Sequence, residues 1–233
     1  MDGVVVETKE LVVELGGTPR AGPATFTVER GSVVVVAGPN GAGKTTLLKA
    51  IAGLVRDVKG ELIVRGTPIY IPQSDLLLPW KTLLDNIILP LTVRGVPRQE
   101  AVERAHRVSS LLGLGEHLEK YPRHASGGTR RKAAVARGLV MGADLLLLDE
   151  PFTGVDVAAR AALIDMLAGL VLGGLSVMLV THDLYLASRI ADKIIVLMPP
   201  PRGVVGVFDL VELDRSERYR VAEKVVSMIS SSG

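Results

Sequence analysis

The chain has 233 residues, 48% of them hydrophobic, and its 27 basic and 25 acidic side chains give a formal charge of +2. That length fits one large domain, or one domain with an inserted lobe, and excludes two independent large domains. The near-balance of charge argues against a generic nucleic-acid binder, and the zero cysteine count removes disulfides, thiolate metal sites and cysteine nucleophiles. Side-chain amides occur only at Asn40, Asn86, Gln73 and Gln99, a scarcity that suits a hot source and that GC-biased coding also produces. The longest uncharged stretch, Met166 to Thr181, falls short of the roughly 18–20 residues that cross a bilayer. Gly173-Gly174 breaks it into what reads as a buried helix followed by a buried strand. Met1-Asp2-Gly3 has neither a basic n-region nor a cleavage pattern, so the expectation is an intracellular protein.

In chain order, apolar runs at Val4 to Val6, Leu11 to Leu15 and Ala24 to Val28, with a Gly16-Gly17-Thr18-Pro19 turn, predict an opening set of antiparallel strands. Val33 to Ala37, Leu145 to Leu148, Val177 to Val180 and Ile194 to Leu197 are short and almost wholly aliphatic. Strands buried on both faces have that character, which points to a parallel sheet covered by helices. Thr45 to Leu54, Thr129 to Met141 and Ala158 to Leu172 read as those helices. The region from about Ser74 to His124 differs. It carries helical patches such as Arg98 to Leu112 and no buried-strand pattern, so it is expected to be a helical lobe inserted into an α/β core. Pro199-Pro200-Pro201 interrupts regular structure, and a last helix is expected over about Ser216 to Ile229, before a tail at Ser230 to Gly233 expected to fray.

Gly38-Pro39-Asn40-Gly41-Ala42-Gly43-Lys44-Thr45 follows one of these buried strands and opens a helix. That is the context in which a G-x-x-x-x-G-K-[ST] match signals a phosphate loop. Its glycines let successive N–H groups face one polyphosphate above the positive end of the next helix. Lys44 would reach the β and γ phosphates and the Thr45 hydroxyl would hold Mg²⁺. Asp149-Glu150 ends another buried strand, so both carboxylates emerge at the carboxyl edge of the sheet, where ligands of parallel sheets bind. Asp149 is suited to orient Mg²⁺ and Glu150 to polarise an attacking water. Ser126-Gly127-Gly128 precedes a helix opening with Arg130-Arg131-Lys132, three cations where the helix dipole favours anions. Either an anion docks at Ser126, or the cations point to solvent or to acidic neighbours.

These motifs, in this order, resemble those of the ATP-binding subunits of ATP-binding cassette (ABC) transporters, and the resemblance covers nearly the whole chain. It includes Gln73 after the strand near Ile69 to Ile71, the signature Ala125-Ser126-Gly127-Gly128-Thr129, the loop Thr153-Gly154-Val155-Asp156, and His182 after Val177 to Val180. The resemblance implies one domain over residues 1–233, with an α/β phosphate-loop NTPase core at 1–73 and 125–233. That core has a mostly parallel sheet and an N-terminal antiparallel β segment, and a helical subdomain is inserted at 74–124. It implies ATP and Mg²⁺ as ligands, and a head-to-tail dimer with a second copy or a homologous ATPase subunit. Each ATP is then held between one subunit's phosphate loop (Gly38 to Thr45, with Thr46) and the other's Ser126, Gly127 and Gly128. Gln73 would sense Mg²⁺ and couple to the membrane partner, His182 would contact the γ phosphate, and Asp156 would link the two sites. A transmembrane permease, indirectly an extracellular solute-binding protein, and residence on the cytoplasmic face of the membrane follow.

Two departures stand out. The aromatic residue on which the family stacks adenine is missing, since no Phe, Tyr or Trp precedes Phe26, and Leu15 occupies the corresponding place. The signature has Ala125 and Thr129 where Leu and Gln are commonest. The segment Leu77-Leu78-Pro79-Trp80-Lys81-Thr82, running into Asp85-Asn86-Ile87, resembles the nitrate, taurine and alkanesulfonate import group. Trp80 fits either a partner surface or the protein's own core. A non-transport ABC ATPase, acting on DNA, ribosomes or iron–sulfur assembly, is the competing reading. The single cassette and the balanced charge count against it.

Overall fold

The computed structural model describes residues 3–231. Two long strands, β1 (Val4–Leu15) and β2 (Thr18–Glu29), pair antiparallel across a turn at Gly16 and Gly17, both at positive φ. β1 also pairs with β4 (Val58–Val64), closing a three-stranded sheet in the order β2-β1-β4. β1 was expected as two strands. It is one, because Glu10 at φ 50° bulges out and pairing with β4 resumes at Val12.

The second sheet contains β3 (Val33–Ala37), β5 (Pro68–Ile71), β6 (Leu145–Asp149), β7 (Ser176–Val180), β8 (Lys193–Met198) and β9 (Gly203–Asp209). Its order is β5-β6-β7-β3-β8-β9, all parallel except the edge strand β9. Alternate residues of the central strands enter two separate cores. Val34, Val36, Leu145, Leu147, Met178 and Ile195 pack with α1 (Lys44–Ile51) and the antiparallel sheet. Val33, Val35, Leu146, Leu148, Val177 and Ile194 face the helices on the other side. Strands that bury both faces have no polar alternation, which is why they read as aliphatic runs.

Those helices are α2 (Leu83–Val93), α3 (Arg98–Leu111), α4 (Gly127–Leu139), α5 (Val157–Leu172), α6 (Leu184–Ala187) and α7 (Arg215–Ser230). α2 and α3 pack on each other and on α4, joined to it through short 3₁₀ turns at 115–117 and 122–124. α7 opens with a capping box between Asp214 and Glu217. α5 departs from the expected buried helix: only Leu163, Ile164 and Leu167 are buried, while Val157 and Leu172 stand in solvent. Among the described residues no helix is long and apolar enough to cross a membrane.

Candidate functional site

The parallel strands all present their carboxyl ends at one edge, so the loops after β3, β6 and β7 meet there. After β3 the chain curls through Gly38, Gly41 and Gly43, all at positive φ, and enters α1 at Lys44. Gly43 is dictated by space as well as by conformation. A Cβ there would lie 2.0 Å from the Arg20 carbonyl oxygen of β2. Lys44 is buried and its ammonium donates to the carbonyls of Gly38 and Pro39 at 2.8 and 2.9 Å. Burial pushes its pKa down, against the opposing pull of Glu150 and Asp149. Ala42 is fully buried and packs in the core beneath the loop.

Asp149, at the end of β6, is buried and accepts three short contacts. The Thr45 hydroxyl donates to it at 2.8 Å, with its second oxygen at 3.1 Å, and the Tyr70 hydroxyl donates at 2.8 Å. Desolvation and the Asp149 hydrogen bond hold the Tyr70 phenol protonated well above its ordinary range. Glu150 follows in left-handed backbone at φ 47°, an uncommon conformation for a side-chain-bearing residue. It turns its carboxylate into the cleft, where His182 Nε2 lies 2.9 Å from Oε1. No hydrogen bond of good geometry reaches that buried oxygen. Burial raises the Glu150 pKa, with His182 and Lys44 pulling it back.

A cleft of about 390 Å³ is lined by Arg20, Asn40, Gly41, Gly43, Lys44, Thr45, Thr46, Gln73, Asp149, Glu150, Val180 and His182. The structure thus gathers the phosphate loop, both acids, Gln73 and His182 from four separate stretches of sequence. Ser126, Gly127 and Gly128 are not among the lining residues. Ser126 caps α4, its oxygen accepting from the Thr129 N–H at 3.1 Å with the Thr129 hydroxyl 2.9 Å away. Asp156 likewise caps α5, accepting from Ala159 N at 2.9 Å.

Three further side chains bear on the site, the first of them among the cations whose partners the sequence left open. Arg131 is 2% exposed and donates to the carbonyls of Pro72 and Asp149, with Asp75 3.6 Å away. Arg130 also faces Asp75, and Arg137 donates to the carbonyls of Asp75 and Leu76. Arg130 and Arg131 therefore face an acidic neighbour, and with Arg137 α4 grips the segment after Gln73, so the account by acidic neighbours holds for those two, while Lys132 donates to the Leu112 carbonyl at 3.0 Å. Tyr70 and Arg20 are the other two. Tyr70 sits on β5, whose partner β6 lies far away in sequence, and Arg20 sits on β2, whose approach to the phosphate loop is a contact between the two sheets; no local pattern marks either.

The donor set fits Mg²⁺ and a nucleoside triphosphate. The loop leaves Gly41 open, with nothing near the position of a Cβ. A hydroxyl and a carboxylate converge beside a buried ammonium, and Glu150 holds a buried oxygen lacking a donor. Fold and cleft together define a phosphate-loop NTPase. Residues 22–153 match the family described as ABC transporter. The chain is 35% identical to the taurine import ATP-binding protein TauB of Escherichia coli strain 536, over 97% of this chain and 91% of that one. It is also 35% identical to the molybdate/tungstate import ATP-binding protein WtpC of Pyrococcus horikoshii, over 89% of this chain and 65% of that one. A solved structure described as the ATP-binding subunit of an ABC transporter superposes with a TM-score of 0.76 at 26% identity, covering 97% of this chain and 99% of the other. The chain belongs to the ABC transporter family and is an ATP-hydrolysing, ATP-binding subunit.

Proposed function

We propose that this chain energises import of a small oxyanion through a separate membrane permease, acting at the cytoplasmic face of the membrane as one of two ATPase subunits paired head to tail. The observation that carries the reading is the convergence of Lys44, Thr45, Asp149, Glu150, Gln73 and His182 on one cleft. The solute class rests on relatives whose names specify taurine and molybdate or tungstate, cargoes that share an oxyanionic group, a sulfonate in the first and the whole ion in the others. An extracellular solute-binding protein completes the proposed system. Residues 1–73 and 125–233 form the catalytic core, and 74–124 the helical subdomain that meets the permease.

In this reading the N–H groups from Gly38 to Thr46 seat the triphosphate. Lys44, held in place by the Gly38 and Pro39 carbonyls, turns its ammonium to the β and γ phosphates. Thr45, Asp149 and Gln73 hold Mg²⁺, which when bound supplies positive charge to the phosphate oxygens. Glu150 accepts the proton of the attacking water, and its raised pKa makes it a stronger base than a solvated glutamate. His182, beside Glu150, contacts the γ phosphate. Ser126, Gly127 and Gly128 close over the nucleotide of the other subunit, with Asp156 between the two sites.

Positioned cations in phosphoryl transfer are worth roughly 10³-fold or more. Lys44→Ala in the assembled complex is therefore expected to reduce Mg²⁺-dependent ATP turnover by about that factor. A loss smaller than about tenfold would reject the assignment.

A further inference from the structure

Arg20 is the one charged side chain among the residues lining the cleft that this chemistry leaves unused. It lies on β2, is exposed, and lines the cleft with Asn40, Gly41, Gly43, Lys44 and Thr46. Among the described residues its guanidinium has no hydrogen-bond or ion-pair partner. Its backbone is pressed onto the phosphate loop, because the Arg20 carbonyl fills the space a Cβ on Gly43 would need. An unpaired planar cation is thus anchored at a fixed distance from the loop.

A nucleoside triphosphate seated by its phosphates on Gly41 to Thr46 must project its sugar and base out of the loop. The antiparallel sheet offers few groups to meet them. Gly16 and Gly17 carry no side chain, Leu15 is 46% exposed at the turn, and no Phe, Tyr or Trp lines the cleft. Of the larger planar side chains in it, His182 stands against Glu150 and only Arg20 is free. A guanidinium is weakly hydrated and stacks on π faces, which an ammonium cannot do.

Building on the nucleotide-site reading above, we propose that Arg20 is the nucleobase-binding residue of this protein, its guanidinium lying flat on the base. Every base has a π face, so stacking grips the base without reading its edge. The site consequently selects nucleoside triphosphates by their phosphates and accepts adenine and guanine nearly alike.

The test is equilibrium binding to the full chain of three probes: the β,γ-imido analogues of ATP and GTP, and inorganic tripolyphosphate. About 0.5 M salt shortens the screening length to roughly 4 Å, so loss of a distant charge does not register. The two nucleotides are expected to bind the native protein within roughly fivefold of each other. Arg20→Ala should weaken both by roughly tenfold and leave tripolyphosphate unchanged. Arg20→Lys should not restore the loss, and Arg20→Trp should. An unchanged nucleotide affinity in Arg20→Ala overturns the proposal. So does a parallel loss of tripolyphosphate that Lys repairs, which would make Arg20 a phosphate contact. Lys44→Ala is the control for the underlying reading: if it leaves all three probes bound as before, the phosphate loop is not the site, and the proposal falls with it.

Discussion

Glu150 joins two demands in one side chain. In the proposed mechanism it must be ionised to accept a proton from water, yet it sits where ionisation is costly, and burial is the largest influence on its pKa. Its folded pKa lies above the ordinary value, so folded and unfolded states are equally protonated at low pH and the group costs nothing there. As pH rises through the folded pKa, the folded state has to carry a desolvated carboxylate, and stability is lost. Glu150→Gln removes that penalty. The nucleotide-free variant is expected to melt higher than the native protein at pH 7 to 8, with the gain shrinking to nothing by about pH 4. ATP turnover should fall by about 10²-fold or more. Equal melting of the two proteins at pH 8 would show that Lys44 and His182 fully offset burial, and lower melting of the variant that they outweigh it. The place of Glu150 in the cleft was legible from the sequence because a strand ending in two acids is a local pattern. Tyr70 was not, since its bond to Asp149 spans 79 residues and exists only because β5 lies beside β6.

At the scale of elements, what decided legibility was whether a segment's burial left a simple mark. β3, β6, β7 and β8 are buried along their whole length and were found almost to the residue. β4 and β9 lie at sheet edges with mixed burial and were not found. The loop before α2 shows how an element can hold a surface in place. Asn86 is fully buried, accepting from the Leu78 N–H at 2.7 Å and donating towards the carbonyls of Leu78, Lys81 and Thr82. This fixes Leu78 to Lys81 while Trp80 stays 70% exposed, which removes the core-packing account of that tryptophan. The two side chains should therefore fail in opposite ways. Asn86→Ala strands buried polar groups at about 1–3 kcal/mol, a loss of about 2–4 °C in melting temperature per kcal/mol. Trp80→Ala should leave melting within about 2 °C and nucleotide affinity intact, yet abolish permease-stimulated turnover, since interface energy concentrates in buried aromatics. Differential scanning calorimetry of the isolated chain and turnover of the reconstituted complex separate the two. A Trp80→Ala chain that melts early but still couples would contradict this assignment.

Across the whole molecule, the parallel sheet converts order along the chain into proximity in space. Every loop that leaves one of its parallel strands at the carboxyl end arrives at the same edge. A list of strand-terminal motifs was therefore enough to anticipate the cleft, whereas Arg20 comes from the other sheet and had no such rule to reveal it. The same logic isolates Ser126. It opens a long helix whose N-terminus favours anions, yet it lies outside the cleft of its own subunit and its oxygen is engaged in capping α4. A phosphate from a second copy would meet it if the two clefts close face to face. In the Glu150→Gln background ATP is bound but not cleaved, so the closed pair should accumulate and sediment as a dimer only when ATP is present. Aspartate caps a helix as well as serine does, so Ser126→Asp preserves α4 while setting a negative charge where the incoming γ phosphate would dock. The doubly substituted chain should bind ATP with unchanged affinity, melt like its parent, and remain monomeric by analytical ultracentrifugation at every ATP concentration. If it dimerises with ATP as readily as its parent, Ser126 does not receive the partner's nucleotide and the head-to-tail arrangement has to be abandoned.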